Sequence, residues 1–211
     1  MNKPVTMTSP LGPTLETERL ILRPPVAEDF DGFCAFTGDA ETMKHLGGVV
    51  SPAVTWRIMT SVAGAWHLHG FHMFSVIEKA SRAWIGRIGA LYPHHWPDRE
   101  VGWGLISAYW GKGYAKEAAA ASMDFVFDRL GWDHVIHTIA PDNQASAAVA
   151  TRLGSYNQGP GSCPTPTPPK RSISGARPAP SGRSIAGNFR LKTPYRFFTR
   201  PRLTCRIFGS I

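Results

Sequence analysis

The residues that carry the most chemistry are Glu100-Val-Gly-Trp-Gly-Leu-Ile106, followed after a short gap by Trp110-Gly-Lys-Gly-Tyr-Ala115. Together they describe a strand that delivers glycines to the first turn of a helix. Backbone N–H groups at a helix start have no intrahelical partner and point outward with the positive end of the helix dipole. An anion, and a phosphate above all, is stabilised there if no side chain blocks its approach, which is what glycine at 111 and 113 provides. Two familiar phosphate loops do not fit. Lys112 is followed by Gly113 where a P-loop needs Ser or Thr, and Lys116 stands where a dinucleotide fingerprint needs a third small residue. Tight packing alone also explains a bare Gly-x-Gly before a helix, so the surrounding elements have to decide.

The segment from Ala115 to Leu130 holds neither Pro nor Gly and puts Ala115, Ala119, Ser122, Met123, Val126, Phe127 and Leu130 on one face, which predicts a helix. Gly131 stands where a left-handed residue closes such a helix. Three other segments fall in order along the chain: Thr17-Glu-Arg-Leu-Ile-Leu-Arg-Pro24 with Ala27-Glu-Asp-Phe30 behind a Pro-Pro turn, Trp84-Ile-Gly-Arg-Ile-Gly89, and Val135-Ile-His-Thr138 with Pro141-Asp-Asn-Gln-Ala-Ser146 and a helix ending Arg152-Leu-Gly154.

In that order these segments resemble the GNAT superfamily of acetyl-CoA-dependent N-acetyltransferases, and within it the branch of the RimJ and RimL ribosomal-protein N-terminal acetyltransferases. The family's pyrophosphate loop reads Gln/Arg-x-x-Gly-x-Gly/Ala. Trp110 to Ala115 is similar to it from the fourth position onward, with Trp110 in place of the leading Gln or Arg, as is common in that branch. The resemblance implies an α/β (α+β) fold, a mixed and mostly antiparallel sheet flanked by helices. Glu100 to Ile106 would be its fourth strand, Trp84 to Gly89 its third and Val135 to Thr138 its fifth.

The same resemblance implies direct attack of an amine on the thioester of acetyl-CoA, the co-substrate, in a ternary complex without a metal. Backbone N–H groups of Gly111, Gly113, Tyr114 and Ala115 would bind the pyrophosphate, while Leu105 and Ile106 would lie beside the pantetheine and offer backbone to the acetyl carbonyl. Asn143 would bond the pantetheine arm or cap the next helix, and Ser146 would approach the cofactor from that helix's first turn. Lys112, counted with the loop, and Arg152 are either solvated or near the cofactor's phosphates. The attacking amine must lose a proton, and Glu100 is the candidate base, with a plain surface glutamate as the alternative. Many family members carry a Tyr that protonates the thiolate where this chain has Ala150, so solvent is left for that step. The acceptor is either a protein N-terminus or a small amine.

Eight histidines include His67-x-His69, His72 and the pair His94-His95, but no Cys-x-x-Cys accompanies them, so no metal is expected. His94 and His95 beside Trp96 are instead candidates for the acceptor pocket. No signal peptide or apolar span is evident, which makes the cytoplasm the expected location, and the three cysteines give no disulfide framework. A monomer or homodimer without membrane or nucleic-acid partners is expected.

Charge divides the chain. Residues 1–154 hold thirteen Lys and Arg against fifteen Asp and Glu, whereas residues 155–211 hold ten Lys and Arg, no acid and nine of the eighteen prolines. The expected division is a GNAT domain over residues 14–161 and a basic, disordered tail over 162–211. One reading of the tail is a partner-binding arm that contacts phosphates. The other is a translated wrong frame: one nucleotide lost within Gly161-Ser-Cys-Pro164 would suffice, and the restored frame permits Leu-Pro-x-Pro-Tyr and, across Ser174 to Gly182, Ile-Trp-Gly-Gln-Thr-Arg-Ala-Glu-Trp, which are similar to endings in this branch. On that reading the last two strands are missing or altered and the acceptor side is damaged. The rival functions are then an inactive CoA-binding remnant and a basic nucleic-acid-binding protein.

Overall fold

The computed structural model describes residues 6–160 and the backbone of 195–198 and 204–207. The opening strand is in two pieces, β1 (Leu15–Glu16) and β2 (Leu20–Arg23), rather than one run from Thr17. A turn intervenes in which the Thr17 N–H donates to Leu20 O and the Leu20 N–H to Thr17 Oγ1, each at 3.0 Å. The chain is then fixed by a buried ion pair. Arg23 Nη1 and Nη2 each lie 2.7 Å from an oxygen of Asp29. Ser75 donates to the same carboxylate at 2.6 Å and receives the Trp84 indole N–H at 2.9 Å. The pair sets the Pro-Pro turn, so that one 3-10 turn at Ala27–Asp29 leads into α1 (Phe30–Gly38) and then α2 (Ala40–Met43).

Helix α3 (Pro52–His69) begins with Ser51 at its N-cap and Pro52 in its first turn, and stops at Gly70, whose φ is 73°. Strands β3 (Met73–Glu78), β4 (Trp84–Leu91) and β5 (Glu100–Leu105) follow as an antiparallel meander. The β4–β5 ladder is unbroken from Leu91↔Glu100 to Gly86↔Leu105. Then come α4 (Tyr114–Asp128), β6 (His134–Ile139), α5 (Gln144–Arg152) and β7 (Tyr156–Pro160). Strands β1 to β6 lie side by side in chain order, antiparallel except for β5 with β6, as the mixed sheet expected from the sequence requires.

Two apolar cores cover the sheet. One, with Leu22, Phe74, Val76, Ile88 and Val101, lies against α4, and the other, with Phe33, Phe36, Met59 and Ile77, lies against α1 and α3. The buried face of α4 is rotated from the one expected: Tyr114, Ala118 and Phe125 turn inward, while Ala115, Phe127 and Leu130 are half-buried at the flank. Tyr114 anchors the first turn by donating its hydroxyl to Glu78 of β3, which sets the rotation.

Beyond β6 the tail contributes two short strands, β8 (Tyr195–Phe198) and β9 (Thr204–Ile207). The first runs antiparallel between β6 and β7, and the second parallel to β6. Each of these two strands has four residues. The remainder of the expected disordered segment, 162–211, lies outside the described residues.

The Arg23–Asp29 pair yields the first prediction. Asp29→Ala leaves a buried guanidinium without its carboxylate, and unfolding in urea should show a loss of about 3–5 kcal/mol. A change below about 1 kcal/mol would mean that the pair is dispensable to the fold.

Candidate active site

Strands β5 and β6 meet and then part. Their parallel pairing is held at one register position, Glu100↔Ile136, with the Ile136 N–H donating to Arg99 O at 2.7 Å. In the β4–β5 ladder the Ile106 N–H donates to Ile85 O at 2.9 Å. By the alternation of an antiparallel pair, the backbone groups of Val101, Trp103 and Leu105 then face away from β4, toward the opening gap. Side chains take up two of the carbonyls there: His137 Nδ1 donates to Val101 O, and Trp110 Nε1 donates to Leu105 O at 2.7 Å. With the Val101 N–H engaged in the pairing to Ile136, the N–H groups of Trp103 and Leu105 are left facing the gap. Ile106 cannot contribute one, because its N–H is spent on Ile85 and its carbonyl accepts from Tyr109 at 2.9 Å. Of the two expected backbone contacts, Leu105 alone faces the gap.

A cleft of about 210 Å³ opens through this parting, lined on one side by Arg87, Leu91, Glu100 and Gly102 and on the other by Trp103, His137, Thr138 and Ser146. Glu100 is 4 % exposed. Its carboxylate accepts from the Trp96 indole at 2.6 Å, from the Thr138 N–H at 3.1 Å and from the Thr138 hydroxyl at 2.8 and 3.0 Å. Burial outweighs these bonds and pushes the carboxyl up to about 7. A carboxyl poised there accepts a proton near neutrality, which an exposed glutamate does poorly. Two neighbouring imidazoles are pulled the other way by burial, His72 to about 4 and His137 to about 3, so both are neutral.

At the far end of β5 the loop turns through Ser107–Tyr109 into Gly111 and Gly113, with φ of 74° and 83°. Left-handed backbone at both positions is what favours glycine, and a Cβ on Gly111 would meet nothing within 4 Å, so the approach is open. The N–H groups of residues 111–116 find no acceptor among the described residues. Cations surround them: Arg19 donates to Lys112 O at 2.9 Å, lies over the Tyr114 ring at 4.5 Å and is held by Glu117 at 2.6 Å, while Lys112 Nζ sits 4.9 Å from the Tyr109 ring centre. Uncommitted N–H groups, the positive end of a helix dipole and two cations thus share one place, a combination that favours an anion.

A family model described as Acetyltransferase (GNAT) domain matches residues 19–155. The chain belongs to the GNAT acetyltransferase family. It is 31 % identical over 149 residues to the uncharacterized N-acetyltransferase p20 of Bacillus licheniformis, covering 69 % of this chain and 84 % of that one. A crystal structure of an acetyltransferase from Agrobacterium tumefaciens is 33 % identical, with a TM-score of 0.62 over 70 % of this chain and 85 % of the other. RimL, an L7/L12 alpha-N-protein acetyltransferase, shares the fold at 18 % identity and a TM-score of 0.57, over 70 % of this chain and 83 % of that one. This GNAT protein is accordingly an acyltransferase.

Within this acetyltransferase the remaining expected residues are placed as follows. Asn143 caps α5, accepting from the Ser146 N–H at 3.0 Å, so the capping alternative describes its side-chain oxygen. Ser146 lines the cleft and receives the Trp103 indole N–H at 3.3 Å. Ala150 is buried and packs with Ile139, leaving no acid at that position. The His94–His95 pair is exposed, its ring centroids 4.0 Å apart edge to face, and Trp96 and His72 line the cleft instead. Among the described residues no three metal-ligating side chains gather, and no helix is long and apolar enough to cross a membrane.

Sequence reasoning gave no site role to Asp39, Thr42 or Arg87, and it named Trp96 only as the neighbour of His94 and His95 and His72 only among the histidines weighed for a metal. Asp39 and Thr42 both accept the Ser107 N–H, at 3.2 and 2.9 Å, tying α2 to the turn between β5 and the anion loop. Of these, Trp96 alone was signalled, by its nearness to Glu100 in the chain.

A pH prediction follows from Glu100. Its folded pKa is raised above the ordinary 4.5, so the stability that favours its protonated form is present below pH 4.5 and is lost as pH rises through about 7. Glu100→Gln should therefore show a flatter urea stability profile between pH 4.5 and 8 than the parent protein. Parallel profiles would mean that Glu100 titrates as an ordinary exposed carboxyl.

Proposed function

We propose that this protein transfers acetyl from acetyl-CoA to a primary amine by direct attack. The observation that carries the reading is the cleft itself, with a buried carboxyl at its floor and a donor-rich gap leading toward the anion seat at Gly111 and Gly113. The residues fit the co-substrate. The N–H groups of Gly111, Gly113, Tyr114 and Ala115, with Lys112 and Arg19 beside them, would bind the pyrophosphate. Leu105 would offer its N–H to the charge that develops on the acetyl oxygen, and Ser146 would approach the pantetheine.

The amine acceptor enters on the side of Glu100. As its nitrogen bonds to the acetyl carbon, the carbon–sulfur bond breaks. Glu100 takes the amine proton, and the thiolate leaves to be protonated by solvent. A protein N-terminus and a small-molecule amine both meet these demands. We place the catalytic domain at residues 14–161 and attribute the acid-free sequence of 162–211 to a shifted reading frame, for which an independent read of the gene around codons 161–163 is the test.

Calorimetric titration of the full chain with acetyl-CoA should show saturable binding, and Gly113→Val should reduce it at least tenfold, because a branched side chain at a left-handed position both strains and covers the seat. Glu100→Gln should bind acetyl-CoA normally and lose on the order of 10²-fold or more in amine acetylation. Unchanged affinity in a folded Gly113→Val protein would remove the phosphate assignment, and full activity in Glu100→Gln would remove the base.

A further inference from the structure

Arg87 lines the cleft, yet it makes no hydrogen bond or ion pair among the described residues. Its contact is with the Phe36 ring, 5.5 Å from the guanidinium carbon, which covers one face of the group and leaves the N–H rim uncommitted. Buried guanidinium groups are ordinarily paired, since removing the charge from water is costly. A candidate partner on the same side of the sheet is already taken. Arg87 stands opposite Ser75 of β3, and Ser75 bonds Asp29. Both oxygens of Asp29 are held by Arg23, and one also accepts from Ser75 and the Val26 N–H. Among the described residues neither carboxylate nor hydroxyl on this side is left to answer Arg87.

The register fixes where this cation lies relative to Glu100. On β4, Arg87 and Leu91 share a face, and Leu91 stands opposite Glu100 while Arg87 stands opposite Gly104. Along the strand their Cα positions are about 13 Å apart at ~3.3 Å per residue, a gap that the two side chains narrow. The β5 positions between them on that face are Gly102 and Gly104, so no β5 side chain divides Arg87 from Glu100. The cleft thus carries one permanent cation and one titrating carboxyl along one face of the sheet. His72 and His137, its other ionisable lining groups, are neutral.

We propose that Arg87 receives a carboxylate carried by the amine acceptor, so that the preferred acceptors are acidic amines, with a primary amine directed to Glu100 and a carboxylate a few bonds away. The inference rests on the reading of Glu100 as the amine end of the cleft. A guanidinium fork matches a carboxylate in two parallel N–H···O bonds, a match that an uncharged or cationic tail cannot make. Two sources share this chemistry: a free ω-amino acid, and a peptide N-terminus followed by an acidic side chain.

The test is binary binding, measured by calorimetry on the full chain without acetyl-CoA so that it does not depend on turnover. Matched pairs are compared: 4-aminobutyrate, 5-aminopentanoate and 6-aminohexanoate against alkylamines of equal length, and Ala-Glu against Ala-Gln dipeptide amides. In at least one pair the acid should bind roughly ten- to hundredfold more tightly, as one charge-assisted pair provides. That preference should vanish in Arg87→Met and survive in part in Arg87→Lys, with the far-ultraviolet circular dichroism of both variants unchanged. Whichever pair responds identifies the source. Equal binding within every pair, or a preference that persists in folded Arg87→Met, would overturn the proposal. Acetylation of the same pairs is read separately: a binding preference without acetyl transfer would retire the transferase reading and leave the carboxylate site standing.

Discussion

The parting of β5 from β6 is the constraint on which the site depends. Two parallel strands joined at Glu100↔Ile136 and no further along β5 leave a row of backbone groups without a strand partner, and buried backbone groups are costly to leave unmade. The protein answers selectively. Side chains of His137 and Trp110 cap the carbonyls of Val101 and Leu105, while the N–H groups are left for an occupant. A sheet defect becomes a slot in which donors outnumber acceptors, suited to a ligand that brings acceptors. The same parting lets solvent-sized space run through the sheet.

The elements around that slot could be read from residue types. Glycines at 111 and 113 announce left-handed backbone, the Pro- and Gly-free stretch after them announces α4, and the apolar alternation from Glu100 announces β5. Such features are local and need no partner to be recognised. What escaped reading is non-local. Asp39 and Thr42 meet Ser107 from far upstream in the chain, and that Arg87 has no ion-pair partner among the described residues can be seen only once Ser75 and Asp29 have been assigned. The rotation of α4 escaped for a similar reason, since the Tyr114–Glu78 bond that sets it joins residues distant in sequence. Ile106 was misjudged because strand alternation, not residue type, decides which N–H faces the gap. His94 and His95 drew attention as a pair, although the half-buried indole beside them makes the contact with Glu100.

Electrostatically the site is a gradient. Cations and free N–H groups crowd the loop end, and a buried carboxyl sits at the floor, where the low dielectric makes its charge expensive and its proton affinity high. Such a field favours an anion at the first end and a proton donor at the second. The basic tail adds backbone along the outer edge of β6, on the far side of that strand from the slot.

The Asp39–Thr42 clasp on Ser107 separates durability from reactivity. Donors from Ser107 and Thr42 hold the Asp39 carboxyl down at about 2, far below Glu100 at about 7. Acidification therefore discharges Glu100 while the fastening between α2 and the loop keeps its charge. On the proposed role of Glu100, mild acid would silence transfer without opening the site, and a return to neutrality would find its walls already in place.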